Sequence, residues 1–355
     1  MTVVVGLVAG IVLLVGGAEL LVRGASRLAV AAGISPLVIG LTVVAYGTSA
    51  PELAVSLEAT LRGQADVAVG NVVGSNIFNV LFILGVSAAV APLVVSSQLV
   101  RLDVPIMIAA SFALLGVGMD GRIGRVEGAA LALAITAYTV HLIWQGQRDK
   151  PAKAESADNA GEPAPSRWRY ALTQLALVIA GVALLVAGSR ALVDAAITIA
   201  TRIGVSELVI GLTIVAAGTS LPELATSVLA SARGERDIAV GNVVGSNVFN
   251  ILAILGLCGI VGDGVIVPPA ALRFDIPVMI GVAVLCLPIA LTGNRISRRE
   301  GLLFVGYYAA YVTYLILNAS GHDALPVFSN VMLLFVLPVS IAGLLASALL
   351  RRRRR

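Results

Sequence analysis

Long apolar runs are the feature that most constrains how this chain can fold. Eleven runs come close to or exceed the roughly 20 residues that a helix needs to cross a bilayer. Hydrophobic residues form 58% of the 355-residue chain and charged residues only 12%, about half the charged share of a soluble protein. The sequence therefore predicts an all-α polytopic membrane protein. The predicted spans lie near residues 3–22, 35–61, 67–92, 103–119, 126–145, 170–194, 206–232, 238–268, 274–292, 300–318 and 325–350.

Basic residues are distributed unevenly among the predicted loops. If the N-terminus is outside, most of the 24 Lys and Arg residues fall in cytoplasmic loops or in the tail Arg351–Arg355. Cytoplasmic loops of membrane proteins carry an excess of positive charge. With eleven spans, the sequence therefore predicts an external N-terminus and a cytoplasmic C-terminus.

Two stretches of the chain, residues 35–85 and 206–256, are near copies of each other. AYGTSAPELA (45–54) recurs as AAGTSLPELA (216–225), and GNVVGSNIFN (70–79) recurs as GNVVGSNVFN (241–250). Each copy belongs to a unit of about five predicted spans, and an odd number of crossings makes the second unit enter from the opposite side. Inverted repeats of this kind are typical of transporters, in which interrupted helices from both halves build one site near the bilayer midplane.

The repeat also predicts the domain organisation. The first five-helix repeat is expected over residues 1–145, with its motif at 40–85, and the second over 170–318, with its motif at 211–256. Residues 146–169 are polar and are predicted to form a cytoplasmic linker. Residues 319–355 are expected to add an eleventh transmembrane helix that ends in the arginine tail.

Glu52 and Glu223 lie in the middle of predicted spans. A charged carboxylate there costs about 3 kcal/mol even on a lenient insertion scale, so each glutamate needs a compensating partner. A bound cation is such a partner. Intramembrane acids are also candidates for functional sites by default.

A proline precedes each of these glutamates. Proline has no backbone N–H, so Pro51 cannot donate a helical hydrogen bond to the carbonyl of Gly47, and Pro222 cannot donate one to the carbonyl of Gly218. Because lipid offers a freed carbonyl no donor, we expect both carbonyls to face a cavity, a water molecule or an ion.

Oxygen atoms dominate the polar groups around the two glutamates. The expected cluster brings Thr48, Ser49 and Glu52 opposite Thr219, Ser220 and Glu223, with Ser75, Asn79, Ser246 and Asn250 on the faces of the following helices. Hard oxygen ligands suit Ca²⁺, and the same oxygens can hold Na⁺. A single serine or threonine can equally donate a hydrogen bond to the carbonyl one turn back. For each hydroxyl taken alone, an ion-ligand role and a purely structural role are therefore both open. The glycine pairs Gly70/Gly74 and Gly241/Gly245 predict close helix packing.

The motifs GTSAPE and GTSLPE, each followed by GNVVGSN, resemble the two alpha repeats of the cation/Ca²⁺ exchanger superfamily, close to the prokaryotic sodium/calcium exchangers. The resemblance implies a ten-helix inverted-repeat core in a prokaryotic inner membrane, with exchange of Na⁺ for Ca²⁺ by alternating access. It also implies a ligand set. The implied ligands are side chains of Glu52, Ser49, Ser75, Glu223, Ser220 and Ser246, and carbonyls of Ala45, Thr48, Ala216 and Thr219, with Asn79 and Asn250 lining the centre.

The coupling ion stays open at the level of sequence. Some archaeal members of the family have an aspartate where this chain has Asn250, so Ca²⁺/H⁺ or K⁺-linked antiport remains an alternative, and a cation channel is a more distant one.

An enzyme is not expected, because the apolar spans offer no zinc constellation and no serine–base pair. The expectation is transport of Ca²⁺ and a monovalent ion as substrates, with no cofactor, no nucleic acid and a lipid bilayer as surroundings. The sequence leaves the oligomeric state open, and a monomer is the expected functional unit.

Overall fold

The computed structural model describes residues 2–148, 167–203, 216–261, 264–287 and 294–336, together with Pro338. Most of these residues are helical, as the sequence predicts. The predicted linker is described only at its two ends, where the flanking helices extend to Arg148 and from Arg167. The tail Arg351–Arg355 lies outside the described residues.

The first half consists of seven helices and two short strands. The helices are α1 (Thr2–Ala32), α2 (Pro36–Thr48), α3 (Ala50–Leu61), α4 (Ala65–Phe78), α5 (Leu84–Val90), α6 (Val104–Val117) and α7 (Arg125–Arg148). The strands are β1 (Leu93–Val94) and β2 (Arg122–Ile123). Wider π-helical turns occur at Gly40–Val44 within α2, at Asn79–Ile83 after α4 and at Leu99–Asp103 before α6.

The second half repeats this order wherever it is described. Its helices are α8 (Arg167–Arg202), α9 (Ala216–Gly218), α10 (Leu221–Ala232), α11 (Arg236–Phe249), α12 (Leu255–Val261), α13 (Ile276–Val284) and α14 (Arg298–Ala319). Its strands are β3 (Val265–Ile266) and β4 (Arg295–Ile296). Its π-helical turns are Asn250–Ile254 and Ala271–Asp275. The helix α15 (Leu325–Val331) and the π-helical turn Met332–Val336 follow, in the segment predicted to lie outside the repeat. The repeat seen in the sequence is therefore also a repeat of backbone conformation.

Eight of the eleven predicted spans are accounted for within the described residues. Seven helices are long and apolar enough to cross a membrane, and α2 with α3 makes an eighth span if this bent pair is counted as one. The other three predicted spans (206–232, 274–292 and 325–350) each run into residues that are not described. These three stay predictions.

The first helices of the two halves, α1 and α8, pack against each other through glycines. A Cβ added at Gly17 would lie 2.8 Å from the carbonyl oxygen of Gly181, and one added at Gly10 would lie 3.0 Å from that of Gly188. Such small residues let helix backbones approach closely in a membrane. The residue numbers of the contacting glycines increase along α1 as they decrease along α8, so the two helices are antiparallel. An inverted repeat requires this relation.

Other contacts also join the halves. Strand β1 pairs with β4 and β2 pairs with β3, both antiparallel, so each ribbon contains one strand from each half. Near the middle of α1, Glu19 forms ion pairs with Arg23 and with Arg233, which directly follows α10. Ser26 donates a hydrogen bond to Glu235 at 2.9 Å.

The glycine contact between α1 and α8 leads to a prediction about stability. Replacing Gly181 by Leu should destabilise the protein by about 1–3 kcal/mol, because the added side chain meets the backbone of α1. Thermal unfolding in detergent measures the effect. Gly306→Ala in α14 is the control: no described atom lies within 4 Å of its added Cβ, and alanine favours a helix by up to about 1 kcal/mol. An unchanged melting temperature for Gly181→Leu would contradict this account of the packing.

Candidate functional site

Two broken helices hold the predicted glutamates. α2 and α3 meet at Ser49, where the backbone has φ −80° and ψ 8° and the helix axes bend by 46°. Pro51 lies in the first turn of α3, where a helix tolerates a residue without an N–H. Ser220 precedes α10 with nearly the same conformation, φ −88° and ψ 9°. The interruption predicted from each Pro-Glu motif is present.

One carbonyl freed by these prolines already has a protein donor. Ser189 on α8 donates its hydroxyl to the carbonyl oxygen of Gly218 at 2.6 Å. The expectation that this carbonyl faces a cavity, a water molecule or an ion is therefore wrong, because a hydroxyl from a neighbouring helix satisfies it. In the first half, Ala18 occupies the position equivalent to Ser189 and has no hydroxyl to offer Gly47.

Hydrogen bonds cross between the halves at the two glutamates. Ser49 donates to Oε1 of Glu223 at 2.9 Å, and Ser220 donates to Oε1 of Glu52 at 2.9 Å. All four side chains are buried. The Ser and Glu groups of the two motifs therefore converge, as predicted, and each serine binds the glutamate of the other half.

The helices that follow, α4 and α11, complete the cluster. Ser75 contacts Ser220, with their hydroxyl oxygens 3.1 Å apart, and Ser246 donates to the carbonyl oxygen of Ala45 at 3.5 Å. Both predicted serines therefore lie at the broken helix of the opposite half. The side chain of Ala216 lies outside the described residues, so its place in the site stays a prediction.

Glycines let α11 pack closely against α2. A Cβ added at Gly245 would lie 2.5 Å from the carbonyl oxygen of Leu41, and Gly241 is similarly close to α2. The predicted packing role of this pair is confirmed. The segment that Gly70 and Gly74 would face by the repeat is mostly outside the described residues, so their role stays a prediction.

Asn71 and Asn242 belong to the site but were not singled out from the sequence. The Asn71 amide donates to the carbonyl of Glu52 at 3.2 Å and to the hydroxyl of Ser56 at 3.0 Å, and its oxygen accepts a hydrogen bond from Thr219 at 3.4 Å. In the other half, Asn242 makes the same three bonds with Glu223, Ser227 and Thr48. The predicted threonine hydroxyls thus donate to these amides. The signal was present in the sequence, since both asparagines occur in the duplicated GN dipeptide.

A second pair of asparagines lies where the two halves meet. Asn76 donates to the backbone carbonyl of Asn247 at 3.2 Å, and Asn247 donates to that of Asn76 at 3.3 Å. Their side-chain oxygens accept hydrogen bonds from Asn250 and Asn79, at 3.1 and 3.0 Å respectively. Asn76 and Asn247 therefore orient the two predicted central amides, a role that the sequence analysis also missed.

Four buried oxygen atoms in this cluster have no hydrogen-bond partner among the described residues. They are Oε2 of Glu52, Oε2 of Glu223, Oδ1 of Asn79 and Oδ1 of Asn250. Buried polar atoms are normally paired, and leaving one unpaired costs free energy. Four unpaired acceptors, arranged as two equivalent pairs, are a donor set suited to a cation.

The surrounding charge also favours a cation. Every Lys, Arg and His side chain that the structure describes is exposed, so no protein cation neutralises the two buried carboxylates. Within the same residues, no group of three or more His, Cys, Asp or Glu side chains could hold a metal ion. The remaining ligands would be hydroxyl, amide and carbonyl oxygens, which suit Ca²⁺ and Na⁺ better than a transition metal. Such an ion would be a transported substrate.

Comparison with known proteins gives a family match over both halves. The model of the family described as "Sodium/calcium exchanger protein" matches residues 2–144 and 173–317. The chain is 39% identical to the putative antiporter CaxA of Alkalimonas amylolytica, over 84% of this chain and 95% of the relative. It is 39% identical to the inner membrane protein YrbG of Escherichia coli, over 87% and 95% of the two chains. With the sodium/calcium exchanger MaX1 of Methanosarcina acetivorans the identity is 32%, over 87% and 97%.

Solved structures give the same result for the fold. The sodium-calcium exchanger NCX_Mj, soaked with zero Na⁺ and Ca²⁺, superposes with a TM-score of 0.75 at 28% identity. The match covers 88% of this chain and 99% of that structure. The fold is thus that of an exchanger, and the chain belongs to the sodium/calcium exchanger family of membrane antiporters.

Proposed function

We propose that the protein is a secondary antiporter that exchanges Ca²⁺ for Na⁺ at one site between its two halves. The observation that carries this proposal is the set of four unpaired oxygens on Glu52, Glu223, Asn79 and Asn250. Two carboxylates neutralise one Ca²⁺, and the uncharged oxygens around them help to replace its water shell. The same oxygens can hold Na⁺ once Ca²⁺ has left.

The crossed hydrogen bonds suggest how binding is linked to alternating access. Each glutamate belongs to one half and is held by a serine of the other. A relative movement of the halves would break these bonds and remake the ligand set for the opposite side of the membrane. The proposal includes a site near the bilayer midplane of a ten-helix inverted-repeat core. The proposed orientation, with the N-terminus outside and the C-terminus in the cytoplasm, rests on the distribution of basic residues among the loops.

Two alternatives concern the transported ions. Antiport of Ca²⁺ with H⁺ or with a K⁺-linked cycle fits the same two carboxylates, which can be neutralised by any of these ions. The names of the relatives MaX1 and NCX_Mj favour Na⁺. A channel is less favoured, because the family consists of antiporters.

A gradient assay in liposomes tests the coupling ion. We expect Ca²⁺ uptake when an outward Na⁺ gradient is imposed at fixed pH, and none when a pH gradient is imposed without Na⁺. Uptake with the pH gradient alone would make the protein a Ca²⁺/H⁺ antiporter. Absence of uptake with Na⁺, H⁺ and K⁺ gradients would contradict the proposed function.

Substitution of either site glutamate should abolish Ca²⁺ transport. Glu52→Gln or Glu223→Gln keeps the shape but removes one of the charges that balance the ion, a loss of about 3–5 kcal/mol or more than about 100-fold in affinity. Uptake of ⁴⁵Ca²⁺ by reconstituted protein measures the effect. Glu58→Gln is the matched control, since Glu58 is exposed and pairs with Arg62 at 2.5 Å. Normal Ca²⁺ transport by both site variants would contradict the assignment of these glutamates as ion ligands.

The asparagines that orient the central amides should affect affinity more than folding. Asn247→Ala removes the acceptor that holds the amide of Asn79, and loss of such a supporting group typically weakens metal binding 10–100-fold. We therefore expect the Ca²⁺ concentration for half-maximal uptake to rise by about that factor. Ser87→Ala serves as the control, because Ser87 is buried without a hydrogen-bond partner in the described structure. An unchanged affinity for Asn247→Ala would show that the amide is held in some other way.

A further inference from the structure

The contact between α1 and α10 is held by opposite charges, whereas the equivalent contact in the repeat is not. We propose that the ion pair of Glu19 with Arg233 is a latch that keeps α1 closed against α10. The latch makes this closed state the more stable of the two states between which the protein alternates. The inference rests on the alternating access of the proposed function, but it concerns a contact outside the ion site.

The latch joins a helix of the first half to the end of a helix of the second half. Glu19 of α1 pairs with Arg233, which directly follows α10, and with Arg23 on its own helix. The side chains of Glu19 and Arg233 are only 25% and 34% exposed, so water and salt screen this pair less than a fully exposed one. Ser26 of α1 also donates a hydrogen bond to Glu235 at 2.9 Å. Two polar contacts therefore tie α1 to the same loop.

The latched contact extends along α10 from the ion site to this loop. Glu223 lies in the first turn of α10, and Arg233 follows the last residue of the helix. Thr226 is seven residues before Arg233, which is about two turns, so both lie on the face of α10 that α1 covers. Thr226 is fully buried, and its hydroxyl has no hydrogen-bond partner among the described residues. This hydroxyl gains a partner when water enters, so the contact is suited to open as an ion path.

The equivalent contact in the repeat would join α8 to α3, and it is not formed. Val55 takes the place of Thr226 and is 38% exposed. Arg62 takes the place of Arg233, but its partner is Glu58 on its own helix. Helices α8 and α3 both lie within the described ranges and make no contact like that of α1 with α10. The structure therefore has one of the two equivalent contacts closed and the other one open.

The sequence does not allow the second contact to be latched in the same way. The position equivalent to Glu19 is Arg190, which has the same charge as Arg62 and would be repelled by it. The position equivalent to Ser26 is Ile197, which has no hydroxyl. The two opposite-facing states of an inverted repeat exchange the roles of the halves, so a latch at one end stabilises one state only. With the proposed orientation, this is the state closed to the cytoplasm.

Access of a thiol reagent to the contact between α1 and α10 tests the latch. Thr226→Cys places a thiol there, and the two native cysteines, Cys258 and Cys286, are buried. The reaction rate of this thiol in the purified full-length protein, without Ca²⁺, follows the fraction of open molecules. Glu19→Gln or Arg233→Gln in this background should raise the rate about two- to fivefold, the effect of losing a partly exposed ion pair. An unchanged rate in both variants would overturn the inference.

A charge swap separates an electrostatic latch from an effect of packing. Glu19→Arg combined with Arg233→Glu restores an attraction, so the rate should return toward its value before substitution. A double variant as reactive as the single ones would show that charge does not hold the contact, and the inference would be overturned. Glu58→Gln is the matched control: it breaks an ion pair within one helix, so the rate should not change. Ala230→Cys, on the same face of α10, replaces Thr226→Cys if that variant does not fold.

The opposite end of the repeat gives an independent test. Arg190→Glu supplies an acid for Arg62 when α8 closes against α3. It should stabilise the other state and raise the reaction rate of the Thr226→Cys thiol about two- to fivefold, although no residue of the latch is altered. Absence of this rise would contradict the exchange of roles on which the latch depends.

The labelling experiment does not require transport, so its outcome is separate from that of the gradient assay. Failure of every ion gradient to move Ca²⁺ would remove the proposed function. A labelling rate that ignores both latch residues would remove the latch and leave Ca²⁺ antiport intact.

Discussion

Two carboxylates in the interior of a membrane protein, without a basic partner among the described side chains, are the constraint on which the rest of the structure depends. Glu52 and Glu223 each receive one hydrogen bond from a serine of the opposite half. One oxygen of each remains unpaired within the described residues. This arrangement is costly in the absence of a positive ion, and a transporter needs a site whose occupancy changes during its cycle. The hydroxyl and amide network around the glutamates keeps the two oxygens in place for the ion that we propose.

The two halves depend on each other because of how this network is connected. Asn71 and Asn242 each link a glutamate-bearing helix to a threonine of the other half. Asn76 and Asn247 bond to each other's backbone and orient the central amides. Neither half alone has a complete set of partners, so the site exists only where the repeats meet. Glycine contacts between α1 and α8 and at α11 bring the backbones close enough for these short side chains to reach.

Symmetry between the halves is not complete, and the departures have local causes. Ser189 supplies a donor to the carbonyl of Gly218, whereas the equivalent Ala18 has none to supply to Gly47. Glu19 pairs with Arg233, but the position equivalent to Glu19 is Arg190, which has the opposite charge. Both differences lie on the first helices of the halves, α1 and α8. The glutamates, serines and asparagines of the core are the same in both repeats.

The sequence by itself determined the membrane class, the duplication, the broken helices and the glutamates, since each depends on local properties: apolar length, repeated motifs, a proline and a buried acid. It also indicated the family, because two copies of one specific motif occur in a single chain. Only the tertiary structure decided how the hydroxyls and amides are shared. A serine or an asparagine has several possible partners within one turn of its own helix, and the crossed bonds of Ser49 and Ser220 or the pairing of Asn76 with Asn247 depend on contact between segments far apart in the chain. For the same reason the donor to Gly218 was not foreseen: it comes from another helix, whose position follows from packing and not from the neighbouring sequence.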